Sequence, residues 1–159
     1  MLEGLFFALT FAAVLGCGLI AGLFFAFSTF VMKALAHLPP AGGIAAMQSI
    51  NIAVLNPWFF AAFFGTSAVC FVLLLYSLFN WSEPGAIYLL TGGLLYLLGT
   101  ILVTVVFNVP LNDALAAVEP GSVAGADLWT RYLSVWTSWN HVRTAGALGA
   151  AAAFIMALR

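Results

Sequence analysis

Late in the chain, Trp136-Thr137-Ser138-Trp139-Asn140-His141-Val142-Arg143 gathers an amide, an imidazole, a guanidinium and two indoles within eight residues. An imidazole titrates near neutral pH and can take a proton from an acidic organic substrate. A guanidinium and carboxamides can then hold the oxyanion that deprotonation leaves. Indoles offer flat walls to a hydrophobic ring system. A second polar stripe lies upstream: Thr100, Thr104, Asn108 and Asn112 fall four apart and share one helical face. His141, Arg143, Asn140 and Asn108 are therefore the candidate catalytic residues. Asn112, Trp136, Trp139, Asn56 and Asn51 are the candidate substrate-binding residues.

The chain around them has almost no charge. Asp, Glu, Lys and Arg make up 6% of its 159 residues, whereas 65% are hydrophobic. A soluble domain of this size has no core large enough to bury so much apolar surface, so the composition points to an integral membrane protein. An ionisable side chain near the bilayer centre costs about 2.5–3.5 kcal/mol on insertion scales, which makes Arg143 and His141 functional candidates by default. Plainer readings stand beside these. Arg143 could pair with Asp113 or snorkel to the headgroups, and His141 could be a hydrogen-bonded packing residue. The tryptophans could form an interfacial belt. Asn56 could cap a helix with Pro57 at its first position. His37, before Leu38-Pro39-Pro40, reads as an interfacial loop residue.

The elements that must position these groups follow from the apolar runs. About 20 mostly apolar residues span a bilayer, and four segments qualify, at about 4–33, 54–80, 85–109 and 134–158. Pro39-Pro40 with Gly42-Gly43, the Asn80–Pro84 turn, and Pro110 through Gly125 separate them. The N-terminus carries Glu3 where a signal peptide would be basic, and its apolar run is too long, so this first segment is expected to stay attached. Backbone groups in lipid need internal partners, so the expected fold is all-α: a single domain over 1–159 forming a four-transmembrane-helix bundle. Small residues at Gly4, Ala8, Ala12 and Gly16, and again at Gly18, Gly22 and Ala26, suit close helix packing and would permit a homo-oligomer.

Ala34-Leu35-Ala36-His37-Leu38-Pro39-Pro40 matches Ala114-Leu115-Ala116-Ala117-Val118-Glu119-Pro120 at an offset of 80 residues. Both copies follow a membrane segment and precede a short amphipathic stretch, which suggests two tandem helical hairpins with short amphipathic helices at one membrane face. That topology collects Lys33, His37, Gln48, Asn51, Asn56, Asn108, Asn112, Asp113, Arg131, Asn140, His141 and Arg143 at one end of the bundle. The other end keeps little beyond Glu3, Asn80, Glu83 and Arg159. One end is expected to be a polar pocket and the other a plain boundary. The basic residues near the segment ends are too few to orient the protein in the bilayer.

Several chemistries find little support. A net charge of −1 offers no basic patch, so nucleic acid is not an expected partner. Two histidines without a His-x-x-x-His pattern or paired carboxylates do not suggest a zinc or di-iron site, and nothing specific supports a haem between His37 and His141. There is no nucleotide fingerprint. No metal and no cofactor is expected. Cys17 and Cys70 sit mid-segment in apolar runs and read as small buried hydrophobes.

Phe107-Asn108-Val109-Pro110-Leu111-Asn112-Asp113, Ala53-Val54-Leu55-Asn56-Pro57-Trp58 and Trp139-Asn140-His141-Val142-Arg143-Thr144 resemble the small four-helix membrane proteins of the anthrone-oxygenase-like family, particularly its bacterial branch. The resemblance runs over essentially the whole chain. It implies a protein of a bacterial inner membrane whose relatives oxidise polyketide anthrones to anthraquinones with dioxygen, without a metal or flavin. It would make Asn108, Asn112, Asn140, His141 and Arg143 the functional positions. On this reading the protein is a cofactor-independent oxygenase for a flat aromatic, anthrone-like substrate that arrives from the lipid bilayer. His141 would be the base, Arg143 with Asn140 or Asn108 would hold the oxyanion, and Trp136 and Trp139 would stack on the rings. The alternative is a non-catalytic lipid- or small-molecule-binding protein, or an accessory membrane subunit. Scaffold is fixed more firmly than chemistry by family membership.

Overall fold

A computed structural model describes residues 2–159; the side chain of Glu3 lies outside what it describes. The described chain is all-helical, with no strand. Seven α-helices follow one another: α1 (Leu2–Ala26), α2 (Met32–Ala36), α3 (Pro40–Ala53), α4 (Pro57–Phe79), α5 (Ala86–Tyr96), α6 (Val109–Ala116) and α7 (Val123–Ala157). π-Helical stretches join some of them, Phe27–Val31 between α1 and α2, and Leu97–Leu102 and Thr104–Asn108 between α5 and α6. The outcome is three helical columns long and apolar enough to cross a membrane: Gly4–Ala36, Pro57–Phe79 and Ala86–Ala116.

The third column runs past the expected end near 109. Pro110 falls within the first two positions of α6, where its missing N–H costs little, and the widened π turn Thr104–Asn108 precedes it. The last helix differs more. It starts at Val123, well before the expected 134, because Ser122 caps it by accepting from the Gly125 N–H at 3.0 Å. Its first turns carry Asp127 and Arg131, so an apolar-run criterion begins too late. The polar residues Ser134, Thr137, Ser138, Asn140, His141 and Arg143 in its middle keep this 35-residue helix from joining the three apolar columns by composition.

α7 nonetheless lies at the heart of the packing. It lies along α1 and α5, while α4 lies along α1 and α5 from the other side. Gly99 and Gly146 make the third column's approach to α7 possible: a Cβ on Gly146 would stand 3.0–3.1 Å from the Gly99 backbone. Gly16 faces Thr66 in the same way between α1 and α4. Gly18 and Gly22 of the second small-residue ladder of α1 are exposed, with open space around them among the described residues. Gly85 opens α5 at φ +90°, a left-handed conformation that glycine adopts without a side-chain clash, and it packs on the end of α7 at Ala157.

Two cores result. The larger holds Cys17, Ile20, Phe24, Phe63, Leu73, Tyr96 and Phe154, with the free thiols of Cys17 and Cys70 in contact at 3.9 Å across α1 and α4. The smaller caps one end, where α2, α3, α6 and the start of α7 meet around Met32, Leu35, Ile44, Met47, Leu115, Trp129 and Tyr132. α3 buries Gly43, Ile44 and Met47 on one face, and leaves Ile52 exposed on the other. Gln48 on α3 donates to the Leu115 and Val118 carbonyls at 2.8 and 3.0 Å, satisfying groups that the end of α6 leaves free.

Candidate functional site

Between the two cores, α7 presents Trp136, Asn140 and Arg143 inward at helical spacing, all three buried. Arg143 is 5% exposed, so its guanidinium is held inside the protein and does not snorkel outward. One terminal nitrogen donates to Asn140 Oδ1 at 2.6 Å, and the other lies 3.4 Å from Thr104 Oγ1. Its charged carbon stands 4.1 Å from the Phe24 ring centre and 4.9 Å from that of Trp136. The Nε atom has no partner. Among the described residues no carboxylate pairs with it, and Asp113 is not one of its partners. Cation–π contacts of about 0.5–2 kcal/mol each offset part of the desolvation but leave net positive charge in place.

Asn140 links this cation to α1. Its Nδ2 donates to the Phe24 carbonyl and to Ser28 Oγ, both at 2.7 Å. Ser28 in turn lies 3.2 Å from Thr144 Oγ1. These contacts fall beside the π stretch Phe27–Val31, and the Thr104 contact falls in the π stretch Thr104–Asn108. π turns reorient side chains and backbone carbonyls and recur at functional sites. Phe24 and Ser28 are site residues that sequence reasoning missed. α1 reads as uniformly apolar, and nothing in its sequence announces a widened turn.

Asn112 forms a second junction: its Oδ1 accepts from Tyr132 Oη at 2.7 Å and from Trp136 Nε1 at 2.8 Å. Trp129, Tyr132 and Trp136 stack in sequence along α7, with centroids 5.6 and 5.7 Å apart and planes within 17°. Tyr132 also escaped the sequence reading. Its i, i+3, i+4 relation to Trp129 and Trp136 was visible as a signal in the sequence. Asn108 is fully buried and donates to the Trp136 carbonyl at 3.1 Å, leaving its Oδ1 without a partner.

An inner cavity of about 120 Å³ opens beside these groups. Arg143, Trp136, Thr104, Asn112 and Asn51 supply its polar atoms, and Leu23, Phe24, Phe27, Met47, Val54 and Phe59 are among its apolar walls. An outer cavity of about 380 Å³ adjoins it through the shared residues Asn51, Leu55, Val109 and Asn112, and adds Gln48 and Asp113.

Of the candidates named from sequence, Arg143, Trp136, Asn112 and Asn51 line the inner cavity. Asn140 and Asn108 stand behind it as buried supports. Three others are placed elsewhere. His141 is exposed and lines neither cavity, because one residue of rotation past Asn140 carries it to the outer face of α7. Trp139 stacks flat on Phe107, at 3.6 Å and 7°, outside both cavities. Asn56 caps α4, accepting from the Phe59 N–H at 3.0 Å with Pro57 following.

Residues 58–153 match the family described as anthrone oxygenase, which is more than half of the chain. The chain belongs to the anthrone oxygenase family. Neither a curated protein nor a solved structure matches it. The family match takes in Thr104, Asn108, Asn112, Asp113, Trp136, Asn140 and Arg143. It leaves out Phe24, Ser28 and Asn51, so the α1 and α3 walls of this anthrone oxygenase family member lie outside the matched region. Among the described residues, no three His, Cys, Asp or Glu side chains converge in a metal-binding arrangement.

Proposed function

We propose that this protein is a membrane-embedded oxygenase that takes a flat, acidic aromatic ketone of the anthrone class from the bilayer and oxidises it with dioxygen. The observation that carries the reading is Arg143: a buried cation with no carboxylate partner among the described residues, facing a largely apolar cavity beside an indole. Such a group is costly unless an anion completes it, and the enolate of an anthrone is a flat anion with an apolar body. Family membership supports the same class of substrate.

In this reading α7 crosses the membrane with the three apolar columns, making a four-helix bundle in the bacterial inner membrane. Its second half buries Gly146, Ala147, Ala150 and Phe154 against α1 and α5. Arg143 lies 14 residues before Ala157, roughly 21 Å along the helix at about 1.5 Å per residue. Against a hydrocarbon core of about 30 Å, that places the guanidinium inside the bilayer yet nearer to the polar end. Binding pockets for ligands of this size run to roughly 300–1,000 Å³. The inner cavity alone is too small at about 120 Å³, so the rings extend into the outer one.

The carbonyl oxygen of the substrate sits at Arg143. Loss of a proton from the methylene carbon gives an enolate whose charge the guanidinium holds. The carbanion carbon gives electrons to dioxygen and forms a C–O bond. Loss of water from the resulting hydroperoxide leaves a second carbonyl, so one anthrone and one dioxygen yield one anthraquinone and one water. Asn140, Thr104 and Phe24 keep the guanidinium in place, and Trp136 walls the cavity beside the rings.

The test is oxygen uptake by the protein in nanodiscs supplied with anthrone, with anthraquinone followed by absorbance. Equimolar oxygen consumption and quinone formation, lost in Arg143→Ala, is the expected result. Ligand binding with no oxygen uptake would sink the oxygenase reading and leave a binding protein.

A further inference from the structure

We infer that Asp113 is the proton acceptor for the substrate held at Arg143, an assignment that rests on the oxygenase reading above. The two adjoining cavities are lined by only two ionisable side chains among the described residues: Arg143 in the inner one and Asp113 in the outer one. Neither histidine lines either cavity. A reaction that starts by removing a carbon-bound proton needs a base within reach of that carbon, and Asp113 is the one side chain of the lining able to serve.

The placement also suits the substrate. In an anthrone the carbonyl carbon and the acidic methylene carbon occupy opposite positions of the central ring. With the oxygen at Arg143 in the inner cavity, the methylene points toward the outer cavity. Asp113 follows Asn112 on α6, and Asn112 lines both cavities. The Asn112 carbonyl oxygen is taken by Tyr132 and Trp136, which leaves its amide N–H groups for the ligand or the departing proton's water. Asp113 is itself exposed, so a proton it accepts passes on to solvent. The cation and the carboxylate line different cavities and form no ion pair, which keeps each available for its own end of the substrate. The proton moves from carbon to a carboxylate oxygen, and the electron pair stays on the substrate for dioxygen.

The test compares wild type, Asp113→Asn and Asp113→Ala in nanodiscs at neutral pH, with anthrone as substrate. Binding of anthraquinone, read by quenching of tryptophan fluorescence, reports that the site is intact. Asp113→Asn should lower kcat by about 100-fold or more, the usual scale of general-base catalysis, with binding unchanged within about threefold. Added acetate should restore about tenfold or more of the lost rate to Asp113→Ala by replacing the missing carboxylate. A wild type that oxidises anthrone together with an Asp113→Asn variant of equal kcat overturns the assignment while leaving the oxygenase reading intact. A wild type that binds anthraquinone and consumes no oxygen overturns both.

Discussion

Phe24 and Phe63 meet edge-on across α1 and α4, with ring centroids 6.3 Å apart. Shifted by 80 residues, the same pair of positions holds Thr104 and Arg143, which meet between the third column and α7 at 3.4 Å. One contact is apolar and the other brings a cation into the protein's interior. They lie next to each other, since the Arg143 guanidinium rests on the Phe24 ring. The offset does not extend to the chain's breaks. Asn56 and Pro57 interrupt the first hairpin between α3 and α4, whereas their counterparts Trp136 and Thr137 sit inside unbroken α7. The broken half gives Val54, Leu55 and Phe59 to the cavity, and the continuous half gives Trp136 and Arg143. The two halves thus furnish dissimilar walls, with the cavity between them.

Making the halves alike is the strongest way to break the contrast. Arg143→Phe puts a second phenylalanine at the offset position, and should lower kcat/KM for anthrone by about 10²–10³-fold, the scale of losing one oxyanion-stabilising donor. Oxygen uptake within threefold of wild type would show that the contrast is unrelated to catalysis. Arg143→Phe also strands Asn140 Oδ1, at a cost of about 1–3 kcal/mol in unfolding free energy, and Asn140→Leu in the same chain should add to that loss, because it also removes the bonds to the Phe24 carbonyl and to Ser28 Oγ. A double variant more stable than Arg143→Phe alone would contradict this.

Overpacking is expected to matter at the glycines that touch, and not at those that face outward. Gly146→Val should destabilise by about 1–3 kcal/mol, since its Cβ meets the Gly99 backbone. Gly22→Ala, with open space around it, should be neutral or stabilise by up to about 1 kcal/mol through helix propensity. Equal losses for both in thermal unfolding would mean that another surface covers the outer face of α1. The smallest effect belongs to His141→Ala, which should change anthrone turnover by less than about twofold because catalytic proton transfer requires hydrogen-bond reach. Loss of activity there would restore the imidazole as the base.

Much of the site was legible because helical spacing is legible. Trp136, Asn140 and Arg143 are three and four apart, and so are Thr100, Thr104, Asn108 and Asn112; both stripes turn inward at least in part. The same periodicity could not rank Trp139 against Trp136 or place His141, since absolute rotation of α7 is set by Gly146, Ala147 and Ala150 packing far down the helix. The α1 contribution was illegible for a different reason. Phe24 acts through its carbonyl and ring face, and backbone chemistry leaves no mark in side-chain pattern. Helix ends followed local capping at Ser122 and Asn56, which hydrophobic runs do not report.

α7 contains no proline and no break over 35 residues, a length of roughly 52 Å at about 1.5 Å per residue. A rod without a joint holds Trp136 and Arg143 at a fixed distance from its outer end. The opposite wall hangs from the short link Val54–Asn56 between α3 and α4, where the chain has a joint. Any opening wide enough to admit a three-ring ligand therefore has one fixed side, on the continuous helix, and one side that borders a break between helices. The fixed side carries the charge.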